Sequence, residues 1–74
     1  MKVKELIEIL IDFPPDMRVV VDGYEGGYND VTNIKQISIH LNIHPEWFYG
    51  AHEITKDPSG LPVILIEGKR ETED

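Results

Sequence analysis

The chain has 74 residues, with seven Lys and Arg against fourteen Asp and Glu, a formal net charge of −7 and no cysteine. That length holds one domain with a small core, since chains of this size bury only about 60 % of the surface they expose when unfolded. The charge opposes phosphate backbones and hence generic nucleic-acid binding, and without cysteine neither disulfide scaffolds nor thiolate metal sites are available.

Hydrophobic residues at 41 % and charged residues at 28 % are the proportions of a globular protein. Residues Met1 to Asp12 mix Lys and Glu into their apolar positions and show no small-residue cleavage site, which argues against a signal peptide. The apolar runs are also too short to cross a bilayer. A cytoplasmic setting without a membrane partner is therefore expected.

The first element reads as a helix, with Val3, Leu6, Ile7, Leu10 and Phe13 at helical spacing and Pro14-Pro15 closing it. Arg18 to Asp22 follows, and its Val19-Val20-Val21 run suggests a strand covered on both faces. Gly23 to Asp30 (Gly-Tyr-Glu-Gly-Gly-Tyr-Asn-Asp) is loop chemistry, because glycines reach positive φ and Asn and Asp favour turns. Ile37, Ile39, Leu41 and Ile43 alternate with Ser38, His40 and Asn42, the pattern of a strand with one apolar face. A long connection from His44 to Gly60 ends in Asp57-Pro58-Ser59-Gly60, whose residues suit a type I turn. Pro62 to Glu67 supplies a last, wholly apolar strand.

The expected fold is α+β: one N-terminal helix packed on a small three-stranded antiparallel or mixed sheet (αβββ), a single domain over residues 1–68 with a charged tail at 69–74 that should fray. One helix shields only one face of a sheet. Either the connection carrying Trp47 and Phe48 folds across the other face as a lid, or a second subunit does, so a homo-oligomer is expected.

Two segments could bind a ligand. In the first, Tyr24 and Tyr28 offer flat faces and hydroxyls, Gly26 and Gly27 allow close approach and can aim N–H groups at an anion, and Glu25 and Asp30 can accept bonds from ribose hydroxyls or base amines. It matches neither the dinucleotide fingerprint nor a phosphate-binding loop. The bland reading is a tight connection whose tyrosines pack at the sheet edge. In the second, Tyr49, His52 and Glu53 carry polar tips that are costly to bury unpaired. Catalysis has no motif behind it: no Gly-x-Ser-x-Gly elbow surrounds Ser38 or Ser59, and nothing in the sequence shows Glu25 and Asp30 converging. No cofactor is expected.

The helix closed by Phe13-Pro14-Pro15-Asp16, the strand Val19-Val20-Val21-Asp22, the loop Gly23-Tyr24-Glu25-Gly26-Gly27-Tyr28 and the segment Trp47-Phe48-Tyr49-Gly50-Ala51-His52-Glu53 together resemble a group of short proteins of bacteria and their phages. The resemblance covers most of the chain and implies no catalytic residue. By analogy of size and setting, small phage proteins of other families sequester nucleotide immune signals such as cyclic ADP-ribose isomers or cyclic oligonucleotides. The expected function is thus non-enzymatic binding of a small nucleotide-like ligand by both loops in one pocket. The alternative is an acidic interaction module or inhibitor that meets a basic partner.

His40, His44 and His52 raise the question of a metal, yet Pro45 interrupts the strand after His44 and the spacing is not that of a zinc site. Elemental analysis is therefore expected to find no stoichiometric zinc, and a chelator to leave the unfolding midpoint unchanged. Stoichiometric zinc with unfolding by the chelator would reverse this reading.

Overall fold

The computed structural model describes residues 1–68, so the charged tail 69–74 lies outside the described residues. In chain order the elements are helix α1 (Val3–Leu10), strand β1 (Val20–Asp22), a short 3-10 turn (Tyr24–Gly26), and strands β2 (Tyr28–His40), β3 (Glu53–Ile54) and β4 (Leu61–Gly68). The class is α+β, as expected, but the sheet is antiparallel with four strands and not three. The additional strand, β3, is two residues long and lies inside what the sequence presents as a single connection.

The chain divides into two compact units, Met1–Asn33 with the chain from Glu67, and Ile34–Ile66. In the first unit, α1 opens with the Lys2 N–H donating to the Glu5 carboxylate at 2.7 Å, which satisfies a donor left free at the helix start and places an acid near its positive end. The expected helix to Phe13 stops regular α-geometry at Leu10. Asp12 and Phe13 donate to Ile9 and Leu10 three residues back, at 3.4 and 3.1 Å. Tightening of this kind is common at helix ends, and here it precedes Pro14, which disfavours the α region at Phe13. β1 then pairs antiparallel with the start of β2, in the register Val20↔Asp30, Val21↔Asn29 and Asp22↔Tyr28. Near the end of β4, the Glu67 carbonyl accepts from Thr32 Oγ1 at 3.3 Å and its carboxylate from Asn33 Nδ2 at 3.2 Å.

In the second unit the remainder of β2 pairs with β3 through Ile39↔Ile54 and His40↔Glu53, and Thr55 N–H donates to the Ser38 carbonyl at 2.9 Å. The turn before β4 closes with Gly60 N–H on the Asp57 carbonyl at 2.9 Å, as its residue types lead one to expect. A Cβ at Gly60 would stand 2.7 Å from the Thr55 methyl and 3.2 Å from the Ser38 Cβ, so this turn is sealed against its neighbours only with glycine there.

No side chain among the described residues is fully buried. Half-burial falls on Leu6 in α1, on Val21 and Val31, and on Ile37, Ile39, Val63 and Leu65. β4 therefore alternates, with Ile64 and Ile66 more exposed than Val63 and Leu65. The expectation that the Val19–Val21 and Pro62–Glu67 runs are covered on both faces is corrected: Val19 and Val20 are 55 % and 45 % exposed. β-Branching in these runs reports strand preference and not two-sided burial.

Asp57 sits below the usual carboxylate range, first because the Ser59 N–H donates to it at 3.0 Å, then through the Ser59 hydroxyl, with a smaller contribution from His40. A carboxylate whose folded pKa is lowered adds stability above its unfolded value, and that gain is lost as pH falls through the folded value. Because the group is open to solvent the gain is small. Asp57→Ala is expected to lower the thermal midpoint slightly at pH 7, and the difference from the parent to shrink below about pH 4. Melts across pH 3–7 check this.

Candidate functional site

Gly23 to Gly27 form the tip of the β1–β2 hairpin, whereas Tyr28, Asn29 and Asp30, expected in the loop, are strand residues of β2 paired with Asp22, Val21 and Val20. The tip is pinched by Gly23 N–H donating to the Gly27 carbonyl at 2.8 Å and Gly27 N–H donating to the Tyr24 carbonyl at 3.3 Å. Glu25 (φ 51°, ψ 44°) and Gly26 (φ 85°) carry the left-handed turn. Gly27 has φ −85° and ordinary room for a Cβ, so the positive-φ requirement among the glycines lies at Gly26.

This backbone leaves Tyr24 and Tyr28 68 % and 70 % exposed. Carboxylates surround them in the chain: Asp22 is the register partner of Tyr28, and Glu25 and Asp30 are both exposed. The segment Gly23–Asp30 contains no Lys or Arg. Arg18 reaches Asp30 with Nε 3.2 Å from Oδ1, in an open ion pair worth little to stability. With the N–H groups of Gly23 and Gly27 spent inside the turn, the tip offers aromatic faces and negative charge.

The second predicted group, Tyr49, His52 and Glu53, belongs to the other unit and closes the connection between β2 and β3 on itself. His44 N–H donates to the Ala51 carbonyl at 3.0 Å. Its ring lies 4.3 Å from that of Tyr49 at 50°, and its Nε2 is 3.1 Å from Glu53 Oε1. Asn42, in the left-handed region at φ 55°, donates its N–H to His52 Nδ1 at 3.0 Å. Each of the three predicted residues thus has a partner within its own loop. Among the described residues no cluster of His, Asp or Glu gathers as a metal site: His40 faces Asp57 at 3.9 Å while His44 and His52 turn to Glu53 and Asn42.

Trp47 and Phe48, expected to lie over the sheet as a lid, are 94 % and 70 % exposed and touch edge to face, with centroids 5.6 Å apart at 88°. A turn with Tyr49 N–H on the Glu46 carbonyl at 3.1 Å holds them at the loop apex. The sequence signal for this was Pro45-Glu46 directly before the aromatics, a turn opening that conflicts with their lying flat.

His44 is the hub of this loop. His44→Ala is expected to cost about 0.5–1.5 kcal/mol in urea unfolding, the loss of one hydrogen-bonded group with partial exposure. It should also raise the amplitude of fast backbone motion across residues 44–52, read by 15N relaxation, while leaving the Gly23–Asp30 tip unchanged.

No family model, curated protein or solved structure matches this chain.

Proposed function

We propose that the protein is a non-enzymatic binding module whose hairpin tip, Gly23–Asp30, receives a cationic group of a basic protein partner. The observation that carries this is the grouping of two open tyrosine faces with the exposed carboxylates of Asp22, Glu25 and Asp30 on one turn and the paired strand ends that flank it. An Arg or Lys head over a tyrosine ring gains cation–π attraction, and adjacent carboxylates accept its N–H groups. The net charge of −7 extends the same preference over the whole chain and steers association with a basic surface.

A second reading, a nucleotide-like ligand such as a cyclic ADP-ribose isomer or cyclic oligonucleotide, is favoured by the same two rings. Their faces are open for base stacking, and Glu25 and Asp30 can meet hydroxyls. Phosphates fit the tip less well, since it supplies no cation of its own and two of its N–H groups bond within the turn. Tyr49, His52 and Glu53 enter this reading as a second ligand-contact segment. The absence of fully buried side chains among the described residues supports a working form with more than one copy.

Calorimetry with an arginine-rich peptide, a neutral peptide of equal length and a panel of cyclic dinucleotides and ADP-ribose derivatives separates the readings. The arginine peptide is expected to bind, more weakly as salt rises. Tyr24→Ala and Tyr28→Ala should each weaken it by roughly twofold to thirtyfold, the equivalent of one cation–π contact of about 0.5–2 kcal/mol. Heat only with the nucleotide panel, lost in the tyrosine variants, would replace the basic partner by the nucleotide reading.

A further inference from the structure

The Trp47-Phe48 apex and the apolar hollow beside α1 are not used by the hairpin tip. The apex carries the chain's one tryptophan, 94 % exposed, on a loop fixed by the His44–Glu53 and Asn42–His52 bonds and the His44–Tyr49 ring contact. A large aromatic already held in place loses little freedom on docking, and tryptophan is the residue type most enriched at the energetic centre of interfaces. The hollow lies between Leu10 and Phe13 at the end of the helix, the Pro14 turn, and Met17, Val19 and Val20 leading into β1. It has a volume of about 430 Å³ and a mainly apolar lining, with Arg18 as its charged member. The prolines and the bond from Met17 N–H to the Pro14 carbonyl at 3.1 Å set its walls.

We propose that Trp47 of one copy seats in the Leu10–Val20 hollow of a second copy, with Phe48 packing on its rim. Both halves are present on every chain, so each copy offers one aromatic apex and one receiving hollow. The charges match at the contact: Glu46 precedes the tryptophan, and Arg18, already facing Asp30, keeps further guanidinium donors for a second carboxylate. One tryptophan and one phenylalanine at roughly 150–250 Å² each bring about 300–500 Å² to a single contact, the low end of interface sizes, so the association is weak and concentration-dependent. This self-contact does not rest on the basic-partner reading, although Arg18 in the hollow and Asp30 of the hairpin are ion-pair partners.

Sedimentation of the full chain from low to high micromolar concentration, followed in parallel by the emission of its one tryptophan, tests the contact. Association with a blue shift that grows with concentration is expected. Since both copies carry negative charge, added salt should strengthen association, the reverse of its effect on a basic peptide at the tip. Trp47→Ala and Met17→Glu should each weaken self-association at least tenfold with the circular dichroism spectrum preserved. Mixing these two variants is decisive: the intact Trp47 of the Met17→Glu chain meets the intact hollow of the Trp47→Ala chain, so pairing and the blue shift should return in the mixture alone. A monomer at every concentration, an oligomer indifferent to both variants, no recovery on mixing, or a blue shift that appears only with lipid vesicles would each overturn the proposal.

Discussion

The ladder along β2 is the interaction on which the other strands depend. At 13 residues this strand is more than twice the usual length, and β1, β3 and β4 all pair with it. Its main-chain bonds matter more than usual because side-chain burial is thin. A fully buried Val, Leu or Ile contributes about 1.5–3 kcal/mol, and no described side chain reaches full burial. The antiparallel pairing and the turns closed at Gly23–Gly27 and Asp57–Gly60 therefore carry much of the organisation. Half-buried positions such as Ile37, Ile39, Val63 and Leu65 complete it only in part.

Local patterning was legible where one period dominated. The helical spacing of Val3 to Leu10 and the Asp57–Gly60 turn stand where the sequence puts them, whereas the alternating strand expected through Ile43 ends at His40, with Ser38 and His40 half-buried like Ile37 and Ile39, and Leu41 and Ile43 exposed. The start of β2 was not legible, because Asn29, Asp30 and Asn33 have poor strand preference and read as turn residues. Pairing with Val20 and Val21 overrides that preference, as tertiary context does for strands. β3 is too short to show any period at all. The bonds that close the second loop join residues nine and ten apart in sequence, His44 with Glu53 and Asn42 with His52, and no spacing rule predicts such pairs. The outward stance of Trp47 is set by the turn at Glu46–Tyr49, for which Pro45-Glu46 is the one local signal, while residue type alone fits a lid as well as a contact point.

The two surfaces use different physics on one small chain. The hairpin tip offers charge and aromatic faces with little apolar area, which suits selective and reversible encounter. The Trp47 apex and the hollow beside α1 offer mainly apolar area with one charge on each side, the composition found at the centre of interfaces. The hollow and the hairpin meet at the Arg18–Asp30 pair, with Arg18 lining the hollow and Asp30 belonging to the hairpin. If the two proposed contacts form, ionic strength would act on them in opposite senses, weakening attraction between unlike charges at one and relieving repulsion between like charges at the other.

Glu25 holds φ 51° at the apex of the tip, a conformation that glycine or asparagine adopts more readily and that costs other L-residues roughly 1–2 kcal/mol. Directly after it stands Gly26, which takes its own positive φ without penalty. The turn thus keeps a carboxylate at a position where backbone preference alone would select a smaller or more tolerant residue. Exchanging Glu25 for asparagine or glycine would relax the main chain while erasing one negative charge, so at this site greater stability and altered recognition come from the same change. The hairpin tip is accordingly a place where surface charge can change at no cost to the fold.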